Sequence, residues 1–210
     1  MRKKKHAGER IEACGNLLIK EPCTMMGNWE KISGGKNICL EIGCGKGTFI
    51  CESAKKHPKK FFVAMEKVRD VLVMAMEKAK RDEISNIAFM DADAENICKI
   101  FAENEVCEIY LNFSDPWPKA RHAKRRLTYR TFLERYKTVL NSQGVIYFKT
   151  DNRGLFDFSL EELRYCNFAL SDITYDLHNS EYNENNIQTE YEKNFSAKGF
   201  SINRVVARVQ

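Results

Sequence analysis

Short apolar runs alternate with stretches of helical periodicity along most of the chain, and that alternation predicts the elements. Ile38-Cys39-Leu40-Glu41-Ile42 is a compact apolar run that ends in a glycine cluster, which predicts a buried first strand. Behind it, Phe49, Ile50 and Ala54 fit a helix that must stop before Pro58. Phe61-Phe62-Val63-Ala64-Met65 predicts a second strand, and residues 68–81 repeat Val68, Leu72, Ala75, Met76 and Ala79 at helical spacing. Ile87-Ala88-Phe89-Met90 predicts a third strand that runs into Asp91-Ala92-Asp93. Residues 94–103 read as a helix and 108–113 as a fourth strand, broken by the two prolines of Asp115-Pro116-Trp117-Pro118. A helix over 127–140, a turn ended by Gly144, a fifth strand at Val145-Ile146-Tyr147-Phe148 and a helix over 155–165 follow. Strands near 169–175 and 202–209, around an Asn-rich loop at 179–186, predict an antiparallel finish.

This order predicts an α/β fold, a Rossmann-like doubly wound mixed sheet with an antiparallel C-terminal strand, whose ligands bind outside the carboxyl ends of the strands. At 210 residues, 43% of them hydrophobic, the chain suits a single domain, read as residues 31–210 behind a basic N-terminal arm of residues 1–30. No window approaches a membrane span and no apolar segment follows the basic start, so a cytoplasmic protein is expected. The eight cysteines form no C-x-x-C pair, which leaves no metal expected. Cys39 and Cys107 read as small core residues.

Net charge is only +5, but the positive charge is clustered. Residues 2–5 read Arg2-Lys3-Lys4-Lys5, and Lys119, Arg121, His122, Lys124, Arg125 and Arg126 crowd the stretch just after the second proline, a pattern that suits a polyanion.

Candidate chemistry sits at the strand ends. Glu41-Ile42-Gly43-Cys44-Gly45-Lys46-Gly47 combines a glycine turn with a preceding acid, and its G-x-G-x-G spacing differs from the dinucleotide G-x-G-x-x-G. Gly43 and Gly45 let a ligand lie against the backbone, and Glu41 either holds part of that ligand or orients the turn. Glu66, at the end of strand two, is placed to accept from ribose hydroxyls, and Asp93, with Asp91 as competitor, from an adenine amine.

The stretch Asn112-Phe113-Ser114-Asp115-Pro116-Trp117-Pro118-Lys119, with the basic run after it, resembles the hallmark of the bacterial tRNA (guanine-N7)-methyltransferases, the TrmB family. The resemblance extends upstream through the glycine motif and downstream through Phe148-Lys149-Thr150-Asp151-Asn152 and Thr189-Glu190-Tyr191-Glu192, covering roughly residues 36–200. It implies a class I S-adenosylmethionine-dependent methyltransferase that modifies a guanine in the variable loop of tRNA. By resemblance, Glu41, Glu66, Asp93 and Asp115 contact S-adenosylmethionine, and Asp115 is the catalytic residue. Lys119, Asp151, Thr189, Glu190, Tyr191 and Glu192 match its substrate contacts, and Arg121, His122, Lys124, Arg125 and Arg126 its RNA-binding segment. The first 30 residues match only loosely.

Guanine N7 carries a lone pair and no proton, so alignment and electrostatics are expected to do more than a general base. Asp115 either accepts from the guanine edge or stabilises charge on the ring. Trp117 either stacks on a splayed base or packs beneath its loop. Asp151 and Glu192 either read the guanine edge or fix Lys119. Competing readings are a same-fold methyltransferase for another RNA, a small molecule or a protein, a nicotinamide oxidoreductase, and a non-catalytic RNA-binding module. The oligomeric state, monomer or homodimer, stays open.

Overall fold

The computed structural model describes residues 7–210, and the basic run at residues 2–5 lies outside the described residues. Seven strands form one sheet: β1 (Asn37–Ile42), β2 (Lys60–Glu66), β3 (Ile87–Asp91), β4 (Val106–Asn112), β5 (Leu140–Thr150), β6 (Ala169–Thr174) and β7 (Asn203–Arg208). Their spatial order is β3-β2-β1-β4-β5-β7-β6. The pairs from β3 through β5 are parallel, and β7 runs antiparallel to both β5 and β6. The chain order reverses at β1, where strands lead away to β2 on one side and β4 on the other, which opens a crevice at their carboxyl ends.

Alternation of side chains across the pleat fills two apolar layers. Ile38, Leu40 and Ile42 of β1 join Phe61, Val63 and Met65 of β2 on one face. There they meet α5 (Ile97–Ile100), α6 (Arg130–Val139) and α7 (Arg153–Tyr165). Cys39, Phe62 and Ala64 point to the other face, against α3 (Thr48–Lys56) and α4 (Arg69–Arg81). Parallel strands covered on both faces explain why the sequence shows apolar runs there rather than clean alternation.

The start of the described chain is packed on this body. In α1 (Ala7–Ala13), Ile11 is buried, and Arg10 donates to both carboxylate oxygens of Glu77 at 2.7 and 2.6 Å. Leu18 bridges to Phe89 beside β3. Trp29, fully buried, stacks on Phe101 and donates its indole N–H to the Ile100 carbonyl just before α2 (Glu30–Ser33).

Four local expectations change. The helix expected over 94–103 is a 3-10 turn (Ala94–Asn96) plus the one-turn α5, because the chain leaves the helix at Phe101 to bury that ring. The helix expected from 127 begins at Arg130, since Thr128 is buried with its hydroxyl 2.6 Å from that of Ser159. Gly144 ends no turn: β5 is continuous, and its register against β4 jumps from Val106↔Leu140 to Glu108↔Val145, so 141–144 bulge. A Cβ on Gly144 would sit 2.6 Å from that of Leu140, which is why a glycine stands there. Finally, α8 (Glu190–Ser196) appears where only a motif was expected, closed by a capping box between Thr189 and Glu192.

Candidate active site

The glycine turn leaves β1 through Gly43, Gly45 and Gly47, all at positive φ. Gly47 is doubly constrained, with φ +75° and room for no side chain, since a Cβ would lie 2.6 Å from Ala75 of α4. Glu66 holds the turn from the neighbouring strand: one oxygen accepts from Gly45 N–H at 3.1 Å and the other from Val68 N–H at 2.9 Å. Its carboxylate retains lone pairs toward the crevice it lines.

Glu41 is only 2% exposed. Its Oε1 accepts from the Asn112 amide at 2.9 Å, which ties the ends of β1 and β4 together. Burial pushes the Glu41 carboxyl up to about 8, against the lowering effect of Asn112 and Lys149. The second Glu41 oxygen, the Asn112 side-chain oxygen and the Ser114 hydroxyl are buried without a hydrogen-bond partner among the described residues. Orphaned acceptors of this kind point to a donor supplied from outside the chain.

Two cavities meet at these atoms. One of about 380 Å³ lies between the glycine turn and α8, lined by Glu41, Phe49, Phe113, Thr189 and Tyr191 among others. The second, about 310 Å³, runs past Met65, Glu66, Val68 and Asp93 to Asp115 and Trp117. Gly43, Asn112 and Phe113 line both, so the two form one bent trough across the carboxyl ends of β1, β2 and β4. Both Asp91 and Asp93 are exposed, but only Asp93 lines the trough, while also capping the 3-10 turn through Glu95 N–H at 2.9 Å; Asp91 lines neither cavity.

The loop after β4 roofs the second cavity. Phe113 and Trp117 take positive φ (+54° and +41°), so the chain makes a tight double bend around Asp115, which is exposed at the rim. Trp117 is edged by His122 at 5.8 Å and covered by the Arg125 guanidinium at 4.9 Å from its ring centre. Arg125 lines the second cavity, while Lys119, Arg121 and Lys124 are exposed on the flank. Arg126 is used internally: Nε donates to the Pro116 carbonyl at 3.1 Å and Nη2 to that of Trp117 at 3.0 Å.

On the opposite wall, α8 presents Thr189, Glu190 and Tyr191 to the first cavity. Tyr191 packs on Phe113 at 5.0 Å and donates its hydroxyl to Asp151 at 3.3 Å. Glu190 pairs with Lys46 of the glycine turn at 2.9 Å. Glu192 faces away from the trough. It is 0% exposed and accepts from Lys149 at 2.7 Å, Asn186 at 2.7 Å and His178 at 2.9 Å. Burial opposes ionisation of Glu192, yet Lys149 and these donors hold its carboxyl below the usual range. Of the two tasks left open for Glu192, the geometry shows neither: its cationic partner is Lys149, not Lys119. Asn112 and Lys149, given no task by the sequence, are the hidden organisers. Their signals were position, a polar residue at the end of an apolar strand, and a place inside two of the stretches that carry the family resemblance.

No group of three or more His, Cys, Asp or Glu fit to hold a metal occurs among the described residues. No helix among them is long and apolar enough to cross a membrane.

A mixed sheet with this order and a glycine turn after β1 is the fold of the methyltransferase class, and solved structures of that class share the fold. The 16S rRNA methyltransferase KamB superposes with TM-score 0.67 at 13% identity, covering 88% of this chain and 93% of that one. An S-adenosylmethionine-dependent methyltransferase from Aquifex aeolicus superposes at 0.56 with 15% identity, covering 99% and 100%. At these identities the likeness is one of fold. Residues 35–205 match the family model described as "Putative methyltransferase". The tRNA (guanine-N(7)-)-methyltransferase of Halalkalibacterium halodurans is 44% identical over 209 residues, 99% of this chain and 94% of its own. That of Lachnoclostridium phytofermentans is 49% identical over 196 residues, 93% and 92% of the two chains. The chain belongs to the tRNA (guanine-N7)-methyltransferase family.

Proposed function

We propose that this protein transfers a methyl group from S-adenosylmethionine to N7 of a guanine in tRNA, the activity for which its relatives are named. The observation that carries the reading is the trough itself. Buried, unpartnered oxygens of Glu41 and Asn112 sit where its arms meet, acids line one arm, and a cationic flank borders its rim.

The residues present fit the cofactor. Glu66 and Asp93 offer acceptors for a ribose and an adenine amine in the second cavity, between the apolar walls of Met65 and Val68. Glu41 and Asn112 offer acceptors for a cationic end group at the junction. When bound, S-adenosylmethionine supplies an electrophilic methyl on a sulfonium, which the N7 lone pair takes with no proton leaving the base.

The chain's own task is therefore alignment and charge. Asp115, at the rim between the cavity and the flank, accepts from the guanine edge or faces the positive charge that appears on the methylated ring. Tyr191, anchored on Phe113 and Asp151, walls the site on the other side, and Thr189 and Glu190 stand beside it. Lys119, Arg121, Lys124 and Arg125, with His122 against Trp117, meet RNA phosphates. Residues 31–210 form the catalytic unit, and of the arm before it residues 7–30 pack on that unit. Eight free thiols suit the reducing cytoplasm.

The test is incubation with labelled S-adenosylmethionine and unmodified tRNA transcript, followed by borohydride and aniline cleavage, which breaks the chain at N7-methylguanine. Label in tRNA with cleavage at a single guanine supports the reading, and label without aniline-sensitive sites overturns it.

A further inference from the structure

The loop that carries Asp115 has little to hold it from within. Phe113 N–H bonds the Lys149 carbonyl at one end and the Lys119 carbonyl accepts from His122 N–H at the other. Between them, residues 114–118 make no backbone-to-backbone hydrogen bond among the described residues, and two prolines remove donors. Positive φ at Phe113 and Trp117 adds strain that a free loop would release.

Arg126 supplies the missing restraint. Its fork bonds two consecutive carbonyls, Pro116 and Trp117, the first of them directly after Asp115. The back of the guanidinium lies 4.3 Å above the Phe158 ring of α7, and two residues on, Thr128 is locked to Ser159 of the same helix. The chain is thus pinned to the rigid body on one side and grips the loop on the other. Its neighbours differ: Arg121, Lys124 and Arg125 are exposed, whereas Arg126 is partly buried. A planar fork is suited to two adjacent acceptors as an ammonium is not.

We propose that Arg126 is a positioning residue for methyl transfer: it holds the Pro116-Trp117 backbone, and with it Asp115, in the reactive geometry, and it is not among the cations that meet tRNA phosphates. This rests on the tRNA-methylation reading above.

The experiment compares wild type with Arg126→Gln, Arg126→Lys and Phe158→Leu, using Lys124→Gln as a phosphate-contact control. Three readouts are taken: the single-turnover rate at saturating tRNA and S-adenosylmethionine, the salt dependence of tRNA affinity, and acrylamide quenching of tryptophan fluorescence. Trp29 is fully buried, so the quenchable signal reports Trp117. Both Arg126 variants are expected to lose about tenfold to a hundredfold in rate, as small misplacements of reacting groups do. Their salt slope is expected to match wild type, and quenching to increase. Phe158→Leu, which changes no charge, is expected to move rate and quenching the same way by less. Lys124→Gln is expected to lower the salt slope by about one. Rate restored to wild type in Arg126→Lys, or a slope lower by about one in Arg126→Gln, overturns the proposal. Should Arg126→Gln fail to fold, Phe158→Leu decides: a lower rate at unchanged slope supports the clamp, and an unchanged rate overturns it. A wild type that methylates no tRNA removes the functional reading instead. The quenching contrast needs no RNA and still tests the clamp.

Discussion

The two ends of the trough are built in opposite ways. At the glycine-turn end, contacts are short in sequence and mostly backbone: Glu66 bonds Val68 N–H two residues away and Gly45 N–H 21 away, and Gly47 leans on Ala75 of the next helix. At the α8 end, geometry depends on side chains far apart in sequence. Lys149 reaches Glu192 across 43 residues, Tyr191 reaches Asp151 across 40, and Lys46 reaches Glu190 across 144. The Lys46–Glu190 pair is half-exposed at both partners and contributes at most about 1 kcal/mol. The buried Lys149–Glu192 pair instead seats α8, together with Tyr191 packed on Phe113 and bonded to Asp151. A local cradle assembles with the βαβ unit that contains it, whereas the opposite wall exists only once the whole sheet has closed.

The largest expected effect breaks that wall. Lys149→Met takes the buried ammonium away from the Glu192 carboxylate and leaves it only Asn186 and His178, which costs about 3 kcal/mol, while the double variant Lys149→Met/Glu192→Met should recover much of the loss. Denaturant unfolding of the two single variants and the double one measures the coupling. Next, Asp115→Asn should slow single-turnover methyl transfer about a hundredfold with melting temperature unchanged, because the side chain is exposed and acts on the reaction rather than on packing.

Gly47→Ala sharpens the contrast from the other end. The added methyl meets both a positive φ and Ala75, so stability should fall by about 2 kcal/mol and cofactor affinity with it, while tRNA affinity holds. Isothermal titration with each ligand separates the two. A smaller effect follows from Glu41, whose carboxyl is raised to about 8 by burial. A cationic ligand group favours the ionised form, so cofactor binding below pH 8 should release a proton, and affinity should rise with pH by up to about tenfold per unit, levelling above 8. Glu41→Gln should remove that component. The sign for stability is the reverse. The folded free protein keeps a proton that the unfolded chain gives up at ordinary carboxylate pH, so Glu41 makes the free protein less stable as pH rises toward 8.

The strands, the acids at their ends and the proline-broken loop were legible because each is written in a few adjacent residues. Apolar runs bounded by glycine, proline or acidic residues place β1 to β5, and the proline-broken Asp115 segment marks the end of β4. The capping box at Thr189 and Glu192 was equally present as T-x-x-E and would have marked the start of α8. What stayed hidden was the division of labour among like residues. The five Lys and Arg of residues 119–126 look alike in sequence, yet Arg126 is spent on carbonyls while Lys124 is exposed. Two acids two residues apart look alike as well, and only Glu192 turns inward to Lys149.

By itself the sequence determined the order of the strands, the glycine turn and the family, since these depend on local sterics, on burial periodicity and on short runs of specific residues. Only the tertiary structure decided which side chains face the trough and which brace it. Partner choice for a charged group depends on distance and desolvation at points that chain folding alone brings together.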